Sequence, residues 1–427
     1  YEIMSSDWSS DVCSSDLEYL TACRLQEAGV PVVQPVAAAW AGVQGIFLSH
    51  AVARAVAADE LWHRVAGAAG RRRAYLEGLK DLLATVIEAG LRHPDLHLGN
   101  IICVEDDDRT HCRLVDVFGV SCGHDLDDDD VLRLLLLFAP FARRLDAGER
   151  AGLLAGLPRV PAAAADRQAL WHRIITANAR AFYRRWPGRK RKLLRGRALC
   201  RRQDDGGRRV FLADDTSAEA LAQAVREHSR LRHEQPQDLL KASAKRAVSH
   251  VRTNDLDVAV KEFMRPGPWG RYAADARAWL NYWGLTFCEI PTPACHAWVR
   301  AADGRGFLVF DYIPGTTAYQ TLTQWQGDPE PFFRRIYRLV ATLYLCRIVH
   351  GDLKLNNIIC HEDMLYLTDN DDVRFNRTIR ARHWQRHLRQ LTRGRQTDPA
   401  IDRLAGWLEQ QPPPYEQGSI SWVPSPT

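Results

Sequence analysis

The chain has 427 residues, of which 46% are hydrophobic and 26% are charged, and its formal net charge at pH 7 is +5. These values are typical of a globular protein of roughly two or three domains and argue against an intrinsically disordered chain. The longest apolar runs are much shorter than the roughly 20 residues of a membrane-spanning helix. The ten cysteines form no CxxC pair, so we expect reduced thiols in a cytosolic protein.

The first 17 residues do not read as natural protein sequence. Residues 7–17, DWSSDVCSSDL, resemble the in-frame translation of a sequencing-library adaptor, so residues 1–17 are left out of the fold prediction. On this interpretation the natural N-terminal part is missing, and natural sequence begins near Glu18. An amphipathic helical pattern then extends to Gly29 and is followed by Pro31 and a valine-rich strand.

Two stretches of the chain nearly repeat each other. They are HPDLHLGNIIC at 93–103 and HGDLKLNNIIC at 350–360, and each places a His before an Asp and an Asn after it at the same spacing. The helix, proline and strand that precede the first stretch also recur before the second. The sequence therefore predicts an internal duplication, with a truncated first copy at 18–203 that is mostly its C-terminal lobe, and a complete second copy at 204–427.

The second copy can be divided into elements by its apolar periodicity. The predicted strands and helices lie at 210–213, 217–233, 247–251, 256–263, 272–283, 306–312, 331–347 and 364–368. A strand-rich front half, a break at Pro314-Gly315 and a helix-rich back half with an arginine-rich tail predict an α+β domain of two lobes. In the first copy, helices are predicted within 60–90, 131–145 and 169–186, and the acidic run 125–130 is interpreted as a solvated helix start.

The repeated loops carry the residue types that phosphoryl transfer needs. An Asp on such a loop can accept the proton of an attacking hydroxyl, and an Asn five residues later can hold a metal ion. In the second copy these residues are Asp352 and Asn357, and Lys354 is placed to contact the transferred phosphate. A second carboxylate for Mg²⁺ is expected after the next strand, where Asp369 is preferred to Asp371.

The first copy offers the same set of functional groups. Asp95 corresponds to the base, Asn100 and Asp116 to the metal ligands, and His97 to the lysine. A lone HxD is a chance event in a chain of this length. The full pattern with its following carboxylate, found twice in one chain, is not readily explained by chance.

Lys261 follows Val-Ala-Val on a strand that is predicted to be buried. A buried ammonium is costly without an anion, and the phosphates of ATP would supply one. Taken alone, VAVK is more often a strand that ends in a surface lysine. The downstream loop is what makes a nucleotide-binding role the preferred interpretation.

Together these motifs resemble the protein kinase superfamily, and within it the lipopolysaccharide core heptose kinases and InaA-like proteins. The resemblance rests on both loops, on LTDND and LVDVFG after them, and on IPTP at 290–293 and LVFDYIPG at 308–315. It implies a protein-kinase-like fold, ATP and Mg²⁺ as cofactors, and Asp311 and Tyr312 as nucleotide-binding residues.

The resemblance also implies the acceptor and the location. The acceptor would be a heptose-type sugar hydroxyl in the inner core of lipopolysaccharide, an anionic glycolipid, and the protein would be cytoplasmic with peripheral contact with the inner membrane. The basic stretches 184–202 and 374–395 would then face an anionic, membrane-tethered substrate.

Some positions depart from the kinase pattern. The helix Glu that pairs with the strand lysine in active kinases is replaced by Ala278 in the second copy, where Asp275 could substitute, whereas the first copy has Glu18 at that place. No glycine-rich phosphate loop is visible, and the lysines of 241–248 occupy its position.

Three alternatives to a lipopolysaccharide kinase stay open. One or both copies could be pseudokinases that scaffold core-assembly enzymes, or the chain could be a phosphotransferase for small molecules of the aminoglycoside or choline type. Nucleic-acid binding through 184–202 ranks last, because this stretch has no stacking aromatic residue beyond Trp186, and we expect no nucleic-acid partner.

Overall fold

A computed structural model of the chain describes residues 14–41, 44–65, 68–106, 108–141, 145, 147–197, 200–205, 208–213, 217–254, 256–264, 273–362, 364–376 and 380–411. Most of the adaptor-like segment, residues 1–13, lies outside the described residues. The chain divides into two compact units, one that ends at Ile175 and one that starts at Thr176.

The first unit is mainly helical. Its elements are α1 (Ser14–Glu27), β1 (Pro35–Ala41), β2 (Gln44–Ser49), β3 (Val56–Ala57), α2 (Ala58–Val65), α3 (Ala69–Glu88), β4 (Ile101–Glu105), β5 (Thr110–Leu114), α4 (Asp128–Leu135), α5 (Ala147–Leu154) and the start of α6 (Ala164–Arg195). Strands β3, β4 and β5 form an antiparallel sheet, and β1 pairs with β2.

The acidic run of the first unit starts a helix, as predicted. Asp127 is the N-cap of α4, and its side chain accepts a hydrogen bond of 2.7 Å from the backbone N–H of Asp130. The Asp130 carboxylate in turn pairs with Arg92 and Arg133 at 2.7 and 2.8 Å. The carboxylates therefore cap and anchor a helix.

The second unit begins with a strand-rich part. Its elements are β6 (Cys200–Asp205), β7 (Arg208–Ala213), α7 (Ala218–Glu234), β8 (Lys241–Ala242), β9 (Arg246–Arg252), β10 (Asp257–Phe263), α8 (Ala274–Phe287), β11 (Cys295–Arg300) and β12 (Gly306–Asp311). As described, the strands form one sheet in the order β6-β7-β11-β12-β10-β9-β8. Strand β6 was not predicted, because this edge strand is mostly charged and lacks an apolar alternation.

Strand β10 is buried on both faces, and the alternation of its side chains between these faces determines where Lys261 points. Val258 and Val260 lie on one face, in a core cluster that includes Leu221 and Ala224 of α7. Successive side chains of a strand point to opposite faces, so Lys261 lies on the face away from α7. The VAVK pattern thus places one buried ammonium on the side of the sheet that carries the site.

The second unit continues with a helix-rich part. Its elements are β13 (Thr316–Thr317), α9 (Ala318–Thr323), α10 (Glu330–Leu345), β14 (Ile348–His350), β15 (Ile358–His361), β16 (Met364–Leu367), β17 (Val373–Phe375), α11 (Ala381–Leu391) and α12 (Pro399–Glu409). Strands β13, β15 and β16 form one small sheet, and β14 pairs with β17. The strand-rich part followed by a helix-rich part agrees with the α+β organisation predicted for this half of the chain.

No helix among the described residues combines the length and apolar character needed to cross a membrane. The longest, α6, carries many arginines and lysines towards its C-terminal end.

Candidate functional site

The loop around Asp352 is closed by its own side chains. A short 3₁₀ turn at Leu355–Asn357 brings Asn357 back, and its Nδ2 donates to the backbone carbonyl of Asp352 at 2.9 Å and to Oδ2 at 3.3 Å. The backbone N–H of Asp352 donates to Nδ1 of His350 at 3.2 Å. The spacing of the motif therefore produces a rigid loop with a half-exposed carboxylate.

Lys354 lies against the carboxylate of Asp352. Its Nζ is 2.7 Å from Oδ2. Burial raises the pKa of Asp352, but the bonds from Lys354 and Asn357 outweigh this effect and lower the pKa below its usual value. Asp352 is consequently ionised at neutral pH and can accept a proton or a hydrogen bond from a hydroxyl.

Asp369 and Lys261 meet although they lie on different elements. Nζ of Lys261, on β10, is 2.7 Å from Oδ1 of Asp369, which follows β16. Asp369 has a left-handed backbone with a φ of 55°, a conformation that non-glycine residues rarely adopt and that costs about 1–3 kcal/mol. Such strain is typical of a functional position and is compatible with the predicted role of Asp369.

Lys261 has a second partner that the sequence did not reveal. Its Nζ is 2.7 Å from Oδ2 of Asp371, a carboxylate that is almost fully buried. Asp275, expected to replace the missing helix Glu, is instead bound by Arg300 at 2.5 Å and by Nε1 of Trp298 at 2.8 Å. The expectation for Asp275 is therefore wrong, since the carboxylate that pairs with Lys261 beside Asp369 belongs to Asp371.

The hairpin of β8 and β9 adds two more cations to this cluster. Nζ of Lys241 is 3.1 Å from Oδ2 of Asp369, and Arg246 is 2.9 Å from Asp371. Burial raises the pKa of Asp369, but Lys261 and Lys241 outweigh burial and hold its pKa well below the usual range. Both cations belong to residues 241–248, the segment that occupies the position of a glycine-rich loop in the sequence. Arg246 was not predicted to take part, because an arginine on a strand carries no distinctive sequence signal.

The two residues predicted to bind the nucleotide at the end of β12 already have partners. The backbone N–H of Asp311 donates to the carbonyl of Ala294 at 2.9 Å, and its carboxylate lies 2.6 Å from Nε2 of His296. The ring of Tyr312 stacks on His250 with a centroid distance of 3.6 Å. Their role in nucleotide binding stays a prediction.

The first unit contains a loop of the same local geometry. The backbone N–H of Asp95 donates to Nδ1 of His93 at 3.2 Å, and Nδ2 of Asn100 donates to the carbonyl of Asp95 at 3.1 Å. His97 is 3.7 Å from the Asp95 carboxylate, and Asp116 has a φ of 53°. Both units therefore have a loop closed by an Asn side chain and, after it, an Asp with a left-handed backbone.

The electrostatic setting of the two loops differs. Asp116 has no ion-pair partner among the described residues, and its charge acts on Glu18 and on His93. The pKa of Glu18 is raised, first by burial and then by Asp116. Since phosphates are anions, the cation-rich surroundings of Asp369 suit a nucleotide better than the paired carboxylates of the first unit.

Helix α11 supports the Asp352 loop from behind. Nε2 of His387 accepts a hydrogen bond of 3.2 Å from the backbone N–H of His350, and Gln390 bonds to Gly351 and Leu353. Gly351 has no room for a side chain, because a Cβ there would lie 2.0 Å from the Asp372 carboxylate. A larger residue at position 351 would therefore require the side chain of Asp372 to move.

Buried histidines behind the loop predict a pH-dependent stability. Burial, followed by the charges of His350 and Arg386, lowers the pKa of His387 to about 3, and burial also lowers the pKa of His350. The folded state then binds fewer protons than the unfolded state, whose histidines titrate near pH 6.5. We expect the unfolding free energy of the second unit to be constant above about pH 6.5 and to decrease as the pH falls towards about 3.

The measurement is urea unfolding at about pH 8 and about pH 5. The variant His387→Gln keeps an acceptor for the backbone N–H of His350 but does not titrate, so its stability should depend less on pH than that of the wild type. An equal pH dependence in both proteins would show that His387 does not titrate on unfolding.

The donor set fits magnesium. Asn357 and Asp369 supply an amide and a carboxylate oxygen, and Mg²⁺ is usually held by one or two such groups together with phosphate oxygens and water. Among the described residues, no group of three or more His, Cys, Asp or Glu side chains is placed to hold a metal ion. A metal at this site would therefore be bound together with a nucleotide.

Comparison with known families finds that this region is similar to a kinase-like family. Residues 285–374 match the family model of the RIO domain, RIO1, an atypical protein-kinase-like family. The matched segment includes the Asp352 loop and Asp369, and the mixed helix and strand content agrees with a kinase-like fold. It covers less than half of the chain and does not reach Lys261.

A search of curated proteins found no match to the chain. The RIO domain match thus supports kinase activity in general and leaves the acceptor open.

Proposed function

We propose that the second unit is a kinase that transfers the γ-phosphoryl group of ATP to a sugar hydroxyl. The observation that carries this proposal is the ion pair between Lys261 and Asp369. The same unit contains Asp352 in contact with Lys354 and Asn357. These groups are the parts that phosphoryl transfer needs, and they come from three separate stretches of the chain.

Each side chain has a role in the proposed reaction. Asp352 accepts the proton of the acceptor hydroxyl as its oxygen bonds to the γ-phosphorus, and ADP leaves with the electrons of the broken P–O bond. Lys354 neutralises charge on the transferred group, and Lys261 orients the phosphates of ATP. Asn357 and Asp369 would hold Mg²⁺, which supplies charge neutralisation of the phosphates when bound.

The proposed acceptor is a heptose-type hydroxyl in the inner core of lipopolysaccharide. The motifs of the second unit resemble those of core heptose kinases, and such a substrate is an anionic glycolipid at the inner membrane surface. The exposed arginines of α6 and α11 are compatible with peripheral contact with an anionic surface.

We also propose that the two units arose by duplication, with Asp95, Asn100 and Asp116 as the counterparts of the second set. Support comes from the shared loop geometry and from a pairing that recurs: the backbone N–H of Leu114 donates to the carbonyl of Pro31, and that of Leu367 to Pro291. The scaffold alternative is favoured by Ala278, because α8 contains no glutamate that could take the place of the helix Glu of active kinases.

The test is transfer of radiolabelled phosphate from ATP by the full chain in the presence of Mg²⁺. The acceptors are lipopolysaccharide with unphosphorylated core heptose, kanamycin and choline. Labelling of the lipopolysaccharide supports the proposal, and labelling of kanamycin or choline alone favours a small-molecule phosphotransferase. If nothing is labelled and ATP does not bind, the kinase proposal is abandoned for the scaffold.

A further inference from the structure

Three arginines of α11 share one face of the helix. Arg382, Arg386 and Arg389 are spaced by four and three residues, which places their side chains next to one another. The opposite face is buried through Trp384, whose ring packs against two tyrosines of α10, and through His387. We refer to Arg382, Arg386 and Arg389 as the arginine row.

The arginine row has no acidic partner in the part of the chain that the structure describes. No carboxylate of a described residue lies within ion-pair distance of these three guanidinium groups, whereas the nearby Arg395 is paired with both Asp402 and Glu409. Like charges at this spacing destabilise a helix by a few tenths of a kcal/mol per pair. The pKa of His383 on the same helix is lowered, first by burial and then by Arg382, in agreement with an uncompensated positive field.

The arginine row borders the loop that presents Asp352. Nη2 of Arg386 donates to the carbonyl of Gly351 at 3.3 Å, and Gln390 bonds to the same carbonyl and to the N–H of Leu353. Helix α11 is therefore fixed directly to the residues on both sides of Asp352. An anion bound by the row would lie close to this loop.

The cations of the arginine row are distinct from those near Asp369. Lys261, Lys241 and Arg246 come from the sheet and pair with carboxylates, so they are the groups that the phosphates of ATP would meet. The arginine row lies on α11, which is bonded to the backbone of the Asp352 loop, and has no carboxylate partner among the described residues. Charge complementarity thus points to the acceptor rather than to the nucleotide.

We propose that the arginine row binds phosphate or carboxylate groups of the acceptor and so brings its hydroxyl to Asp352. This inference rests on the proposed function, and it defines the substrate class as a sugar that already carries at least one anionic group. Arg386 is the central member of the row, because its guanidinium also contacts the loop at the carbonyl of Gly351. A neutral sugar would lack this contact and would be a poor acceptor.

The test compares two triple variants of the full chain with the same change in charge. One is Arg382→Gln, Arg386→Gln and Arg389→Gln. The matched control changes three exposed arginines outside both basic stretches, one each on α7, α8 and α12, as Arg226→Gln, Arg277→Gln and Arg403→Gln. Binding of inositol hexakisphosphate, a soluble sugar-like polyanion, is measured by calorimetry near physiological salt.

We expect the row variant to bind the probe about 10-fold or more weakly, as loss of charge-assisted hydrogen bonds would produce, and the control to bind nearly as the wild type does. Equal losses in both variants, or no loss in the row variant, would overturn the inference. An effect confined to vesicles of phosphatidylcholine and phosphatidylglycerol, without an effect on the probe, would also overturn it in favour of a membrane contact.

Turnover then separates this inference from the proposed function. With the lipopolysaccharide acceptor, the row variant should show a higher KM for acceptor and an unchanged KM for ATP, and Arg386→Lys should restore part of the loss. The calorimetry needs no turnover and should give the same result in an Asp352→Asn background. A chain that transfers no phosphate but loses probe binding in the row variant would contradict the proposed function and retain the anion site.

Discussion

Replacement of Asp352 by Asn is expected to lower the rate of phosphoryl transfer by about 10²–10⁴-fold. Asparagine has nearly the same shape, so the bond from Asn357 to the backbone carbonyl of residue 352 is kept and the loop should stay closed. The amide cannot accept the proton of the hydroxyl, and it gives Lys354 no negative partner. Single-turnover transfer to the acceptor measures the loss, and equilibrium binding of ATP should change little.

The matched control is Asp95→Asn, because it makes the same change in a loop of the same local geometry. Asp95 lies near His97 rather than a lysine, and no described lysine approaches Asp116. We therefore expect Asp95→Asn to retain most of the activity. Loss of transfer in the Asp95 variant and not in the Asp352 variant would move the catalytic site to the first unit.

The loops could be predicted from sequence because their geometry is local. Asn357 reaches the carbonyl of Asp352 through a single 3₁₀ turn, and the same spacing closes the loop at Asp95. The identity and spacing of these residues were therefore enough to predict their arrangement. The position of Lys261 followed in the same way from the strand alternation of VAVK.

The partners that Lys261 and Asp275 adopt could not be predicted, because they depend on contacts between distant parts of the chain. Asp371 lies beside the preferred metal ligand, and nothing in the run Asp369 to Asp372 shows which carboxylate faces the sheet. Asp275 had the right helical position for Lys261, but Arg300 lies closer in the fold. Asp275 does form an ion pair, but its partner is Arg300 and not Lys261.

The support of the loop by α11 was also invisible in the sequence. His387 and Gln390 lie among arginines, so the sequence predicts a polar helix. The inner face of this helix is recognised only in the structure, where Trp384 and His387 are buried. Because backbone N–H and carbonyl groups are the partners on the loop, no complementary side chain marks the contact. Such contacts leave no pattern that residue types alone could reveal.

Replacement of Asp275 by Asn is expected to lower the unfolding free energy of the second unit by about 3–5 kcal/mol. The carboxylate is fully buried and binds Nε and Nη2 of Arg300 at 2.7 and 2.5 Å, and it also accepts a hydrogen bond from Trp298. The amide would remove the negative charge that Asp275 presents to the guanidinium of Arg300, which is 2% exposed. Urea unfolding, followed by hydrogen exchange of the amides of β10, β11 and β12, measures the change.

A loss of activity should accompany the loss of stability, because the ion pair fixes α8 to β11. Asn281 of α8 donates to the carbonyl of Asn370 at 2.7 Å, next to Asp369, so a displaced helix would disturb the site. The control is Asp303→Asn, which removes the solvent-exposed partner of Arg305 and should change stability little. If Asp275→Asn is no more destabilising than Asp303→Asn, the buried pair contributes nothing to folding, and α8 must be held in place by its other contacts.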